Sequence, residues 1–112
     1  MKDFTHAINF TTSAERDLWR LVDFIAEHDS QVSAKHVLEK VEALIATLSL
    51  QPERGAVVPE LAQLGIATYR QVQWKPYRVI YQIGVSGVVI VLITDGRRDM
   101  QTLLQQRLFK AN

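Results

Sequence analysis

The chain has 112 residues, of which 47% are hydrophobic and 22% are charged. A chain of this length predicts one domain, residues 1–112, with enough surface to bury for a core but no room for a second catalytic lobe. Its longest apolar run, residues 88–93, is far too short to cross a membrane, and it has no cysteine for a disulfide or a thiolate. We therefore expect a cytoplasmic protein with no membrane partner.

The net charge of +1 hides an uneven distribution along the chain. Residues 1–50 carry five basic and eight acidic side chains, a net charge of −3, whereas residues 51–112 carry eight basic and four acidic ones, a net charge of +4. This asymmetry indicates a cationic face for an acidic peptide or a nucleic acid. A solvated basic surface without a partner is the alternative.

The first half of the chain predicts a strand followed by two helices. Side chains alternate over residues 4–10, as they do in a strand. Thr12 and Glu15 match a capping box, and apolar residues at helical spacing follow them. Ser30 or Ser33 can begin a second helix with its own apolar stripe, so the two helices form a hairpin.

The second half predicts three strands in succession, at residues 66–74, 77–83 and 88–94, with short turns between them. Asp99 can then cap a last helix. The fold class predicted is α+β: a twisted antiparallel sheet with an N-terminal helical hairpin packed on one face, in the order β-α-α-β-β-β-α.

Motifs that hold a metal or a cofactor are missing from the sequence. His6, His28 and His36 fall on separate predicted elements and lack the spacing of metal ligands. The glycine pair Gly84 and Gly87 fits a hairpin turn, because no Lys-Ser or Lys-Thr pair follows it as in a phosphate-binding loop. We expect neither a metal nor a cofactor.

An arginine cluster is the most informative feature of the last strands. Arg78 alternates with apolar neighbours on its strand, and Arg97 and Arg98 directly follow the next strand, so antiparallel pairing can bring the three together. Clustered guanidinium groups bind phosphates or carboxylates through paired hydrogen bonds. Alternatively, Arg78 and one arginine of the pair only neutralise nearby carboxylates, namely Glu60, Asp95 or Asp99.

Six segments of the sequence together form a pattern that covers nearly the whole chain. They are Ala14-x-x-Asp17-Leu18, Leu48-x-x-x-Pro52-x-x-Gly55, Val58-Pro59-Glu60-Leu61, Tyr69-Arg70, Pro76-Tyr77-Arg78-Val79-Ile80-Tyr81 and Asp95-Gly96-Arg97-Arg98-Asp99. The ordered set resembles the RelE/ParE superfamily, the toxins of bacterial type II toxin-antitoxin modules. The resemblance implies a compact sheet-and-hairpin fold, growth arrest by the free toxin, and a hetero-oligomer with a cognate antitoxin.

The resemblance allows two activities. RelE-like members cleave messenger RNA on the ribosome without metal, by attack of a ribose 2′-hydroxyl on the adjacent phosphate, whereas ParE-like members inhibit DNA gyrase by binding it. By similarity, Arg78 and Arg98 stand where the ribonucleases bind phosphate, and Glu60 stands where some of them place a carboxylate base. These three residues are the catalytic candidates if the chain is a ribonuclease.

The chain also departs from the RelE-like pattern. Tyr69 and Gln71 stand where RelE-like enzymes carry a lysine pair, and Leu104 stands where they carry a tyrosine. Because arginine neither accepts nor donates protons readily near neutral pH, it cannot replace these groups. The departures favour a ParE-like gyrase inhibitor, with a RelE-like endoribonuclease as the alternative and a non-toxic antitoxin binder as a third possibility.

The expected partners follow from the same resemblance. They are the antitoxin and DNA gyrase, or the antitoxin, the ribosome and messenger RNA if the alternative holds. The antitoxin is expected to wrap the helical hairpin and the cationic sheet, with its acidic residues meeting arginines. The residues expected to contact the target or the antitoxin are Arg70, Arg78, Arg97 and Arg98.

Overall fold

A computed structural model of the protein describes residues 5–109. Its elements in chain order are β1 (Ile8–Phe10), α1 (Thr12–His28), α2 (Gln31–Ala46), β2 (Ala56–Val57), α3 (Pro59–Ala62), β3 (Tyr69–Trp74), β4 (Tyr77–Gly84), β5 (Gly87–Asp95) and α4 (Met100–Leu108). The predicted α+β class and element order are confirmed. The sequence did not predict β2 and α3, because elements this short show no period.

Side-chain caps fix where the long helices begin. Thr11 accepts a hydrogen bond from the backbone N–H of Ala14 at 3.0 Å, so α1 is capped one residue before the predicted Thr12. Ser30 accepts from Ser33 N–H at 2.9 Å, which decides between the two predicted caps of α2. Asp99 caps α4 as predicted. Each cap satisfies an amide that the first helical turn leaves unpaired.

Five strands form one sheet in the order β1-β5-β4-β3-β2. The predicted meander of β3, β4 and β5 is antiparallel, whereas β1 pairs with β5 in parallel. Two predicted strand bounds are wrong. The strand predicted over residues 4–10 covers only Ile8–Phe10 within the described residues, which begin at residue 5. The strand predicted over residues 66–74 is β3, which begins only at Tyr69. Ile66 N–H bonds back to Leu61 C=O and closes the turn after α3.

The sheet has helices on both faces. The hairpin of α1 and α2 covers one face with Leu18, Val41 and Ile45 over the sheet. On the opposite face α3 and α4 bury a second core with Leu61 and Leu104. The sequence predicted the hairpin and the apolar character of β5 on both faces, but it did not predict which helices cover the second face.

A β-bulge interrupts the alternation of side chains along β5. Ile80 pairs with Leu92, but Tyr81 pairs with Ile90, so Val91 is an extra residue in β5. Val91 and Leu92 consequently both pack on the α3 and α4 side. Such a bulge bends its strand locally and changes which side chains point to each face.

None of the helices within residues 5–109 combines the length and the apolar character that a membrane crossing requires.

Candidate functional site

Arg78 lies on β4 and points to the sheet face that α3 partly covers. Arg78 is 8% exposed, and every nitrogen of its guanidinium donates a hydrogen bond within the protein. Nη1 and Nη2 bind the two carboxylate oxygens of Glu60, each at 2.9 Å, and Nε binds Oε1 of Gln71 at 2.7 Å. Arg78 therefore forms a paired, bidentate ion pair with a partner of opposite charge.

The local backbone is shaped to admit this pair. Pro59 begins α3, which places Glu60 in the first helical turn above the sheet. On the other side Gly96 lies against the stem of Arg78, and a Cβ atom there would come within 2.5 Å of Arg78 Cδ. Because only glycine leaves room for this stem, the Asp95-Gly96 turn and the buried arginine belong together.

The ion pair changes the chemistry of Glu60. The hydrogen bonds from Arg78 are the main reason that the pKa of Glu60 lies below its ordinary value, although partial burial opposes them. A carboxylate with a lowered pKa is a weaker proton acceptor. Two of the three catalytic candidates thus neutralise each other, as the alternative interpretation of the cluster predicted for Arg78.

A cleft of about 430 Å³ lies beside this pair. Its polar lining includes Gln71, Gln73, Lys75, Arg78 and Arg97. Neither a histidine nor a tyrosine is among its lining residues. Glutamine amides can bind a ligand by hydrogen bonds, but they do not exchange protons near neutral pH. The cleft can hold a polar group, and Lys75 is the one acid-base side chain in its lining apart from the arginines.

Arg97 and Arg98 follow β5 and lie at the surface. Arg97 binds the carboxylate of Asp95 through Nε at 3.0 Å and Nη2 at 2.6 Å, while its side chain stays 76% exposed. These hydrogen bonds lower the pKa of Asp95. Arg98 is exposed and makes no ion pair within the described part of the chain. Arg98 is therefore the freest of the candidate arginines.

Arg70 does not join the others. It donates from Nη1 to the backbone carbonyls of Glu53 at 3.2 Å and Gly55 at 2.9 Å, at the edge of the sheet near β2. On β3 it points to the face opposite that of its neighbour Gln71, which binds Arg78. The structure thus brings Arg78 and Arg97 to one cleft but places Arg70 elsewhere.

A third ion pair, which the sequence did not reveal, joins α1 to α4. Arg107 binds Asp17 through Nη1 at 2.7 Å and Nη2 at 2.9 Å, and Nη1 also donates to Val91 C=O at 2.9 Å. Asp17 accepts from Ile93 N–H at 3.0 Å as well. The pair thus gives hydrogen-bond partners to Val91 C=O and Ile93 N–H, which lie past the part of β5 that pairs with β1. The 90 residues between the partners leave no local signal for this contact.

Two of the three histidines lie close to each other although they belong to different helices. His28 and His36 both line a cleft at the closed end of the hairpin. No group of three or more potential His, Asp or Glu ligands close enough to hold a metal ion occurs among residues 5–109.

Residues 8–100 match the family model described as ParE toxin of type II toxin-antitoxin system, parDE. The chain belongs to this toxin family. A curated relative, Toxin ParE3 of Caulobacter vibrioides, is 28% identical over 97 residues, which cover 87% of this toxin and 93% of the relative. The sequence-based resemblance to the RelE/ParE superfamily is confirmed.

Solved structures of both branches resemble the toxin. The chromosomal ParDE system of P. aeruginosa matches with a TM-score of 0.68 at 15% identity, covering 82% of this chain and 97% of that one. A chain of the toxin-antitoxin complex RelBE2 of Mycobacterium tuberculosis matches with a TM-score of 0.59 at 26% identity, covering 84% and 94%. A double mutant of E. coli RelE in the free state matches with a TM-score of 0.60 at 12% identity, covering 88% and 92%. The fold is shared by both branches and does not choose between their activities.

Proposed function

We propose that this toxin arrests growth by binding and inhibiting DNA gyrase, and that it cleaves no RNA. The observation that carries the proposal is the state of Arg78. Its guanidinium is buried, and Glu60 and Gln71 take three of its five N–H donors while Glu60 neutralises its charge, so a phosphate would have to compete with Glu60 for it. ParE membership supports the same choice, because the ParE-like branch is the one that the resemblance associates with gyrase.

Metal-free RNA cleavage makes three demands on a protein site. It needs a base for the 2′-hydroxyl, an acid for the leaving oxygen, and positive charge at the phosphate. Here the candidate base Glu60 has a lowered pKa because it is bound to Arg78, the candidate phosphate ligand. To act, both groups would have to separate and lose their strongest partners.

The exposed arginines support a binding role. Arg97 keeps a 76% exposed side chain and Arg98 is exposed without an ion partner in residues 5–109. Exposed charges of this kind steer association and fix the orientation of a partner. We assign Arg97 and Arg98 to contact with the target or the antitoxin. We assign Arg70 to a separate contact near β2.

A cognate antitoxin is part of the proposal. The relatives with solved structures include ParDE and RelBE2, both described as toxin-antitoxin systems or complexes. By analogy, this toxin is held in a hetero-oligomer with an antitoxin encoded next to it. Its cationic second half and exposed arginines fit an acidic segment of such a protein.

The proposal is tested with the purified toxin in a gyrase supercoiling assay. We expect inhibition at micromolar toxin and its reversal by the protein encoded beside the toxin gene. The same toxin is added to a translating extract, where messages are expected to stay intact. Unaffected supercoiling would overturn the gyrase assignment, and cleaved messages would restore Arg78, Arg98 and Glu60 as catalytic candidates.

A further inference from the structure

A pocket of about 580 Å³ lies at the closed end of the helical hairpin, where α1 ends and α2 begins. Four of its lining residues carry rings, namely Phe24, His28, His36 and Tyr77. Among the lining residues that the structure describes, the one with a formal charge is Asp29. Aromatic faces beside a carboxylate are surroundings that attract an organic cation. We call this site the hairpin pocket.

The rings of the hairpin pocket are held in place by their neighbours. His28 stacks on Phe24 with ring centroids 4.1 Å apart, and its Nδ1 donates a hydrogen bond to Phe24 C=O at 2.9 Å. Tyr77 stacks on Trp74 at 5.9 Å, and His36 meets the edge of the same indole at 5.5 Å. Rings that are already held lose little freedom when a ligand covers them.

The carboxylate of Asp29 is available to a ligand. Asp29 is exposed and makes no ion pair within residues 5–109. Burial is the main reason that the pKa of the Tyr77 hydroxyl lies above its ordinary value, and the charges of Asp95 and Asp29 raise it further, against an opposing effect of Arg97. The charge of Asp29 therefore acts inside the pocket, where a cation would meet it.

The surroundings of the pocket are also negative. Residues 23–36 carry three acidic side chains and one basic one, a net charge of −2. The acidic ones, Asp23, Glu27 and Asp29, form no ion pair in the part of the chain that the structure describes. Residues 51–112 carry the opposite net charge of +4. This end of the toxin thus attracts cations and repels phosphates and carboxylates.

The rim of the pocket favours a cation that a protein supplies. Phe24 is 58% exposed and Val32 is 81% exposed, so two large apolar side chains stand in water beside the pocket. A small free cation would leave most of this apolar surface uncovered, whereas a protein partner would also bury it. Arginine suits the rings better than lysine does, because its planar guanidinium stacks on aromatic faces and is less strongly hydrated.

We infer that the hairpin pocket binds an arginine side chain of DNA gyrase, with the guanidinium against the rings of Phe24 and Tyr77 and its charge balanced by Asp29. This inference rests on the proposed function, because gyrase is the protein that supplies the arginine. It adds a contact with the target whose charge is opposite to that of Arg97 and Arg98.

The first test measures the concentration of purified full-length toxin that half-inhibits gyrase supercoiling. Asp29→Lys is expected to raise this concentration by about tenfold or more, because it sets like charges against each other. Phe24→Ala is expected to raise it by about three- to thirtyfold, the range for the loss of a desolvated cation–π contact. Thermal unfolding checks that each variant folds.

Matched controls lie on α1 outside the lining of the pocket. Exposed Asp23 matches Asp29 in charge, and Trp19, 53% exposed, matches Phe24 in ring surface. We expect Asp23→Lys and Trp19→Ala to inhibit within about twofold of the original chain, since salt screens a charge outside the pocket and surface substitutions have small effects. Pocket variants that inhibit as well as the original chain, or equal losses in pocket and control variants, would overturn the inference.

The second test uses a free arginine derivative as the probe. N-acetyl-arginine amide is titrated into the full-length toxin and followed by NMR, with the citrulline derivative as a probe of the same shape without the charge. We expect the arginine derivative alone to shift signals of Phe24, Asp29 and Tyr77, and Asp29→Lys to abolish these shifts. Equal shifts with both derivatives, or none with either, would overturn the assignment of the pocket to a cation.

The two tests together separate the pocket from the proposed target. If the original chain leaves supercoiling unaffected but binds the arginine derivative through Asp29, the gyrase assignment fails and the preference of the pocket for a cation stands. If the original chain inhibits supercoiling and the pocket variants inhibit equally well, the pocket assignment alone fails.

Discussion

Arg78 and Arg98 carry the same sequence signal but occupy opposite environments. Each lies in a motif of the family, and the sequence resemblance assigns each to a position that the ribonuclease branch uses for phosphate. Arg78 is 8% exposed and bound to Glu60 and Gln71, whereas Arg98 is exposed and makes no ion pair in residues 5–109. A motif therefore predicts a residue's position, but burial and partners decide whether it supports the fold or meets a ligand.

The contrast between the two arginines is tested most strongly by replacing each with alanine and comparing the free energies of unfolding. Arg78→Ala should lower the free energy of unfolding by about 3 kcal/mol, because it leaves the Glu60 carboxylate without its partner. Arg98→Ala should change it by less than about 0.5 kcal/mol. Urea denaturation of the three proteins measures both effects. Similar losses in the two variants would contradict the structural role of Arg78.

A double variant separates the ion pair from the packing around it. Arg78→Met combined with Glu60→Leu should be more stable than Arg78→Ala alone, because two apolar groups can replace a buried pair without leaving an isolated charge. Urea denaturation again measures the difference. Stability no better than that of Arg78→Ala would show that the hydrogen-bonded ion pair itself is needed, because the double variant keeps most of the side-chain volume and lacks only the charges.

Tyr81 extends the comparison to a neutral buried group on the same strand. Its hydroxyl donates to Pro52 C=O at 2.5 Å and accepts from Gly55 N–H at 3.0 Å, and the residue is fully buried. Tyr81→Phe leaves both backbone groups unpaired and should cost about 2 kcal/mol of stability. Thermal or urea unfolding measures this loss, with Tyr69→Phe on partly buried Tyr69 as the control. An equal, small effect in both would contradict a structural role for the hydroxyl.

The ion pair between Asp17 and Arg107 is intermediate between the two extremes. Their side chains are 12% and 24% exposed, and they also bind the backbone of β5. A double-mutant cycle with Asp17→Ala and Arg107→Ala should give a coupling energy of about 1 to 2 kcal/mol. Additive losses in the cycle would mean that the two side chains act independently.

The smallest expected effect is the pH dependence of protein stability that the Glu60 carboxylate causes. Its pKa is lowered below the ordinary 4.5 in the folded protein, so the ion pair stabilises the protein fully above that pH. The contribution is lost as the pH falls through the folded-state pKa. The stability difference between the original chain and Glu60→Gln should therefore narrow below about pH 4.5. A difference that stays constant from pH 7 to pH 3 would contradict the lowered pKa.

Local patterns accounted for most of the fold. Ser30 was one of two candidate caps and Asp99 the predicted cap of the last helix, while alternation in residues 77–83 and the apolar run in residues 88–94 predicted β4 and β5. The parallel pairing of Ile8 with Val88 could not be predicted, because it joins residues far apart in the chain. The two-residue β2 and four-residue α3 were missed because a period needs more residues to become visible.

The candidate site was harder to predict than the fold. The sequence supplied Arg78 and Glu60 and the hypothesis that they neutralise each other, but not their burial or the third contact to Gln71. It also grouped Arg70 with the other arginines, although β3 points it away from Arg78. The sheet face on which each side chain lies depends on strand register and on the position of α3. Neither can be read from the sequence.

The central claim is that this toxin acts on DNA topology by binding. The most direct measurement is pulse labelling of DNA and protein synthesis during the first minutes of induced expression, in a bacterial host without the antitoxin. The account predicts that DNA synthesis falls first and that a DNA-damage response follows. An early fall in protein synthesis with cleaved messages and continuing DNA synthesis would contradict it.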